Sequence, residues 1–410
     1  MTRPILLKNG RVIDPANALD GIADVLIENG KITEAAPAIA QKLPPDKDVL
    51  TIDASGLIVT PGLIDIHTHL FVTAGNPEAW AGEYSVWPDC FSFRAGVTTM
   101  VDAGSAGWRN FAYFRVSVAE RAKTRVFAMV NIAGHGMVGE APEQYLPELD
   151  PRRAADAAQR HGDIVVAIKT AHYAGPGWDS VDRAIEAGAI SGLPIMVDFG
   201  YFVKERPYWR LVTERLRKGD ISTHCFRGPV PITDESGILY SYLKQARDKG
   251  VLFDLGHGAG SFLFQNAAPA FRQGFYPDSI STDLHTFSMN DAMIDMPTTM
   301  SKCMALGMPI EEAIDRSTRR PAEIIGHKEL GALSAGSEAD VAVWSVRERA
   351  EGFGFKDNVG GRVMGRKKLE CEMTFKGGEV VWDLNARVAQ DYETLPLDGN
   401  VRPGEFIVRP

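Results

Sequence analysis

One pattern restricts this chain more than any other: between residues 57 and 331, apolar strand-like runs take turns with stretches of helical period. The runs occupy residues 57–70, 96–103, 125–133, 163–171, 193–200, 220–226, 251–255 and 279–284. Strands joined by helix-length crossovers run parallel, and eight parallel strands can close on themselves. The expected fold is therefore α/β, a (β/α)₈ TIM barrel over residues 57–331. A doubly wound open sheet is the alternative, but it asks for a glycine-rich phosphate turn after an early strand, and no GxGxxG stands there.

The flanks have a different texture. PILLKNG at 4–10 and ADVLIENG at 23–30 are short apolar runs, and both close on Asn-Gly, at Asn9-Gly10 and Asn29-Gly30. That dipeptide predicts two hairpin turns. Strands with glycine turns return in ADVAVW at 339–344 and CEMTFKGGEVVW at 371–382. The two ends are expected to pair into one small β-sandwich domain, residues 1–56 with 332–410. A chain of 410 residues that is 45% hydrophobic can bury cores of both kinds.

Charge and cysteine usage exclude several functions. A net charge of −9 leaves no basic stripe to track phosphates, so nucleic acid is not an expected partner. Cys90, Cys225, Cys303 and Cys371 stand far apart without a CxxC pair, which argues against a disulfide framework or a thiolate zinc site. The N-terminal segment carries Lys8, Arg11 and Asp14 rather than a basic start and an apolar run, and no apolar stretch approaches the ~18 residues of a membrane span. A cytoplasmic enzyme acting on a small molecule, away from membranes, is expected; homo-oligomerisation is left open.

The chemistry collects at strand ends. In TPGLIDIHTHLF at 60–71, His67 and His69 lie two residues apart at the close of an apolar strand. Side chains at i and i+2 share a face, so both imidazoles can aim into the barrel mouth and bind one metal. Alone, the pair reads equally well as a polar strand terminus. Other strand ends change the balance: His224 closes GDISTH, His257 follows VLFDLG, and Asp283 closes ISTD. Imidazole and carboxylate suit a divalent ion, with zinc the default for a mixed nitrogen and oxygen set. Lys169 closes IVVAIK at 164–169. A lysine there is more often an exposed terminus, but a buried amine of lowered pKa can react with CO₂ to a carbamate able to bridge two cations.

These residues together resemble the amidohydrolase superfamily, in particular its dihydroorotase-like amidohydrolase/deacetylase branch. The resemblance spans nearly the whole chain. PGLIDIHTHL, the central lysine, THCF, FDLGHGAGSF, STDLH, STRRPA and GSEADV occur in the order of that branch. It implies two divalent metal ions, zinc for preference, with His67, His69 and Asp283 on one, carbamylated Lys169 bridging, and His224 with a strand-five residue on the other. Strand five departs from the family: LPIMVDFG at 193–200 puts Asp198 where histidine is usual, and Asp198 is expected to ligate in its place. Asp283 is the expected catalytic base. His257, Arg227 and His172 are candidate substrate-binding residues, Arg227 for a carboxylate. The implied activity is a zinc-dependent deacylase cleaving an amide or ester of a small carboxylate-bearing substrate, such as an N-acyl amino acid or O-acyl hydroxy acid. A cyclic amidase of the dihydroorotase or hydantoinase kind is the alternative. A catalytically silent barrel and a metal-independent isomerase are the readings from other classes.

Overall fold

The structure, a computed structural model, describes residues 3–44, 48–72, 84–137 and 141–394. Residues 395–410 of the expected end domain lie outside the described residues, as do residues 73–83 near the barrel mouth. The first strands are β1 (Ile5–Asp14), β2 (Leu19–Glu28), β3 (Lys31–Ala36), β4 (Leu50–Asp53) and β5 (Ile58–Pro61). β1, β2 and β3 form an antiparallel meander, while β4 and β5 lie parallel to β1.

Asn29-Gly30 makes the expected turn: both residues have positive φ and the ladder resumes at Glu28 and Lys31. Asn9-Gly10 does not. It lies inside β1, at a register shift between Leu7 and Gly10, and forms a bulge rather than a hairpin turn. The left-handed φ of 63° at Asn9 serves the extra residue, and the Asn9 amide donates to Asp24 Oδ1 at 2.9 Å. Gly10 must lack a side chain, because a Cβ there would stand 2.7 Å from Val59 Cγ2.

The barrel follows as β6 (Leu63–Thr68), β7 (Val97–Asp102), β8 (Arg125–Asn131), β9 (Val165–Thr170), β10 (Ile195–Val197), β11 (Ile221–Ser222) and β12 (Leu252–Phe253). Each pairs in parallel with the next. The ring is closed by residues 279–284, the eighth expected run. Asp254 bridges Ser279 on one side, and Thr68 bridges Leu284 on the other, with the His69 amide on the Leu284 carbonyl at 2.9 Å. Ile64, Ile66, Val101, Met129, Ala167, Met196 and Ile221 belong to one buried cluster with Ala322 and Ile325 from around the helix Arg319–Ile324. With the interior packed, chemistry is left to the strand ends.

The chain then returns as β13 (Val341–Lys356), β14 (Arg362–Lys376) and β15 (Glu379–Asp383). β13 pairs antiparallel with β5, so the two ends join in one eight-stranded sheet with its own core of Leu7, Val12, Val25, Ile27, Val59, Val343 and Phe375. Trp344 welds this sheet to the barrel. Its ring is 1% exposed, its Nε1–H donates to Thr60 Oγ1 at 3.0 Å, and a Cβ on Gly96 would stand 2.2 Å from it. Trp344→Ala is expected to lower the unfolding free energy by about 3–5 kcal/mol in urea denaturation, the range for emptying so large a buried site. A loss under about 1 kcal/mol would show that the ring is not what joins the two parts.

Candidate active site

Six of the residues singled out in the sequence meet at the mouth. Asp283 Oδ1 lies 3.0 Å from His69 Nε2 and 3.6 Å from His67 Nε2, and Lys169 Nζ lies 3.3 Å from His67 Nε2. On the other side His224 Nε2 is 3.4 Å from Asp198 Oδ2 and 3.9 Å from Asp283 Oδ2. One atom each from His67, His69 and Asp283 fall within 4.8 Å of one another, a group able to hold a metal ion. All six residues are buried.

Hydrogen bonds decide which imidazole nitrogen faces inward. The Thr223 hydroxyl gives its proton to Asp254 Oδ2 at 2.7 Å, so it can only accept from His67 Nδ1, 2.9 Å away. His224 Nδ1 lies 2.7 Å from the Gly256 carbonyl, an acceptor only, and so must donate to it. With the Nδ1 protons placed, the Nε2 lone pairs of both rings point toward carboxylate oxygens. Lone pairs and anions held that close require a cation between them, and outer hydrogen bonds of this kind are how metal-binding imidazoles are oriented. The donor set therefore fits a divalent ion.

Burial and neighbouring charge agree with that reading. Burial and the Lys169 ammonium drive His67 down to about 3, so the ring is neutral. Burial would raise the Asp283 carboxyl, but the imidazoles around it hold it well below the usual carboxylate range. Burial lowers the Lys169 amine against the pull of Asp198 and Asp283. Three site residues sit in the left-handed region that non-glycine residues avoid: His172 at φ 54°, His224 at 58° and Asp283 at 50°. Such strain persists only where the surroundings impose it, and it clusters at functional positions.

The remaining candidates separate. His172 lines the mouth, with Nε2 3.3 Å from Asp198 Oδ2 and Nδ1 3.2 Å from Glu143 Oε2. Burial lowers its pKa, but Glu143 and Asp198 outweigh burial and raise it to about 9. Arg227 places its guanidinium on Asp198 Oδ1 and the Gly200 carbonyl, at 3.4 and 3.3 Å. His257 is fully buried: its Nδ1 donates to the Gly258 carbonyl at 3.0 Å and its Nε2 accepts from Lys302 Nζ at 2.8 Å. Among the described residues neither lines the mouth cavity; Arg227 lies beside Asp198, which does, and His257 lies beside Lys302.

That cavity, of about 300 Å³, has a floor of His67, His69, His172, Asp198, His224 and Asp283 and a rim that includes Tyr84, Met137 and Phe287. Sequence reasoning passed over His285, which also lines it. The Phe287 amide donates to His285 Nδ1 at 3.2 Å, leaving the proton on Nε2, which faces Asp283 Oδ2 at 3.9 Å. His285 is thus a donor where His67 and His224 are acceptors. Its place in STDLH, two residues past the strand-ending aspartate, was the available signal.

Known proteins share this arrangement of the chain. The profile of the Amidohydrolase family matches residues 264–381. A deacetylase of Brucella anthropi is 33% identical over 359 residues, which is 84% of this chain and 85% of that protein. Among solved structures, an adenine deaminase superposes with a TM-score of 0.81 at 29% identity, over 93% of this chain and 100% of that one. A dihydroorotase does so at 0.80 and 28%, over 92% and 99%. Relatedness along most of its length, together with the shared barrel, makes this chain a member of the amidohydrolase superfamily and a hydrolase.

Proposed function

We propose that the chain is a metal-dependent deacylase that hydrolyses the amide or ester of a small carboxylate-bearing substrate, an N-acyl amino acid or an O-acyl hydroxy acid. The convergence of His67, His69 and Asp283 carries this reading, and the similarity to a deacetylase supports it. His67, His69 and Asp283 would hold one divalent ion, and Lys169, Asp198 and His224 a second, with zinc suited to the nitrogen and oxygen donors. The Lys169 ammonium would first lose a proton; the free amine would then add to the carbon of CO₂ and lose a second, leaving an anionic carbamate able to hold the ions. When bound, the ions supply a water that ionises near neutral pH and polarise the scissile carbonyl.

The protein's own groups do the rest. Asp283, held ionised, takes the proton of the attacking water and passes it to the leaving nitrogen or oxygen. His285 presents its Nε2–H beside that carboxylate and can donate to the substrate. His172, which lines the mouth, and Arg227, beside Asp198, are the candidate partners for a substrate carboxylate. The second reading, a cyclic amidase, draws on the similarity to a dihydroorotase.

Three outcomes are expected. Protein supplied with zinc and bicarbonate should hold about two ions per chain by elemental analysis and cleave acyl amino acids or acyl hydroxy acids; chelation should abolish turnover and zinc restore it. Turnover of cyclic ureides alone would favour the second reading, and activity that survives chelation would sink both. Asp283→Asn should lower kcat by about 10²–10⁴ with the circular dichroism unchanged.

The third outcome concerns Glu143. A histidine raised on folding contributes stability that is full below 6.5 and lost as pH climbs through about 9. In chelator-treated protein, Glu143→Gln should therefore lower the urea midpoint at pH 6 and leave it nearly unchanged at pH 10. An equal loss at both values would disprove the His172–Glu143 pairing.

A further inference from the structure

A second cavity, of about 380 Å³, lies behind the mouth, between the segment that follows Asp283 and the β13–β14 hairpin. Its lining includes Lys302, Arg349, Lys356 and Lys368, with Asp291 among them. Asp291 is taken by Lys356 at 2.7 Å. Two further acids near Lys302 are also engaged: Asp357 accepts from the amides of Phe264 and Gly361 at 3.1 and 2.6 Å, and Asp295 caps the helix Met296–Ala305 through the Thr298 amide at 2.8 Å. Among the described residues no carboxylate is in ion-pair contact with Lys302, Arg349 or Lys368; Asp357, Asp291 and Asp295 act on Lys302 only from a distance, and Arg349 rests over the Phe353 ring at 4.9 Å, so three cations without a salt-bridge partner face one cavity of a chain whose net charge is −9.

Lys302 is the telling member. It is 1% exposed, and its ammonium rests against two neutral acceptors, His257 Nε2 at 2.8 Å and the Ala292 carbonyl. A buried cation with no anion in direct contact costs several kcal/mol, and methionine would fill the space without that cost. Burial pulls the amine down to about 7, and an anion beside it would restore the charged form. The volume lies within the range of small-molecule sites, about 300–1,000 Å³, and exceeds what a bare oxyanion needs.

We propose that this cavity is a binding site for a phosphate group, free or carried by a small ester, held by Lys302 from within and by Arg349 and Lys368 at the opening. The site shares no lining residue with the mouth cavity; His257 meets Lys302, and the adjoining Gly258 lies so close to Asp283 that a Cβ would stand 2.3 Å from its Oδ2.

Calorimetric titration of the metal-loaded protein with inorganic phosphate, and separately with glycerol 3-phosphate, tests this. At least one should bind saturably with one site per chain. Arg349→Glu and Lys368→Glu alter side chains on the hairpin surface and should each weaken binding about tenfold or more, ~1.4 kcal/mol. Arg366→Glu, an exposed cation outside the cavity, should bind like the parent protein. The stronger of the two ligands identifies the source of the phosphate group. No saturable binding of either would overturn the proposal. So would binding untouched by Arg349→Glu and Lys368→Glu, which would belong to the metal centre, or an equal loss in Arg366→Glu, which would be general charge attraction.

Discussion

The architecture of this protein depends on the burial of like-minded electron donors at one end of a barrel. Asp283, Asp198 and the Nε2 lone pairs of His67 and His224 converge where little water reaches, and each would be expensive there without a positive charge to share. Lys169 and His172 supply part of that charge from the protein. The outer contacts, Thr223 with Asp254 behind His67 and the Gly256 carbonyl behind His224, prevent the rings from turning to relieve the crowding. The scaffold holds a site that is electrostatically incomplete by construction.

Holding it requires backbone as well as side chains. His172, His224 and Asp283 adopt left-handed conformations, and glycines beside them give way: a Cβ on Gly200 would stand 2.8 Å from His172 Cα, and one on Gly256 2.7 Å from His224 Nδ1. His172 and His224 come two residues after β9 and β11 end, and Asp283 lies in the run that closes the ring through isolated bridges, so the strain sits where the regular pairing has stopped.

Much of this was legible in the sequence because it is local. The spacing of His67 and His69, the lysine closing IVVAIK and the aspartate closing ISTD each follow from one strand and its end, and the eight runs prefigure the closed ring. Partners far along the chain are not legible in the same way. Arg227 is drawn to Asp198, 29 positions away, and His257 to Lys302, 45 positions away, and no local pattern announces either choice. The bulge at Asn9-Gly10 eluded sequence reasoning because positive φ serves a bulge as well as a turn, and only Asp24 and Val59 decide between them. His285 has an ordinary neighbourhood in sequence; its tautomer is set by the Phe287 amide.

The β13–β14 hairpin reaches back over the barrel. At its tip Asn358 accepts from the Phe262 amide at 2.9 Å and donates to the Gly258 carbonyl at 3.1 Å, across 100 positions of sequence. Beside it Asp357 takes the Phe264 amide. A chain emerging from the ribosome in order therefore exposes β5 with one edge open and the loop beside Asp283 unclamped until β13 and Asn358 have been made. Contacts of such long separation form late, so the catalytic rim is set only after the C-terminal strands have come home, and a nascent chain stalled before them would hold a barrel without a finished mouth.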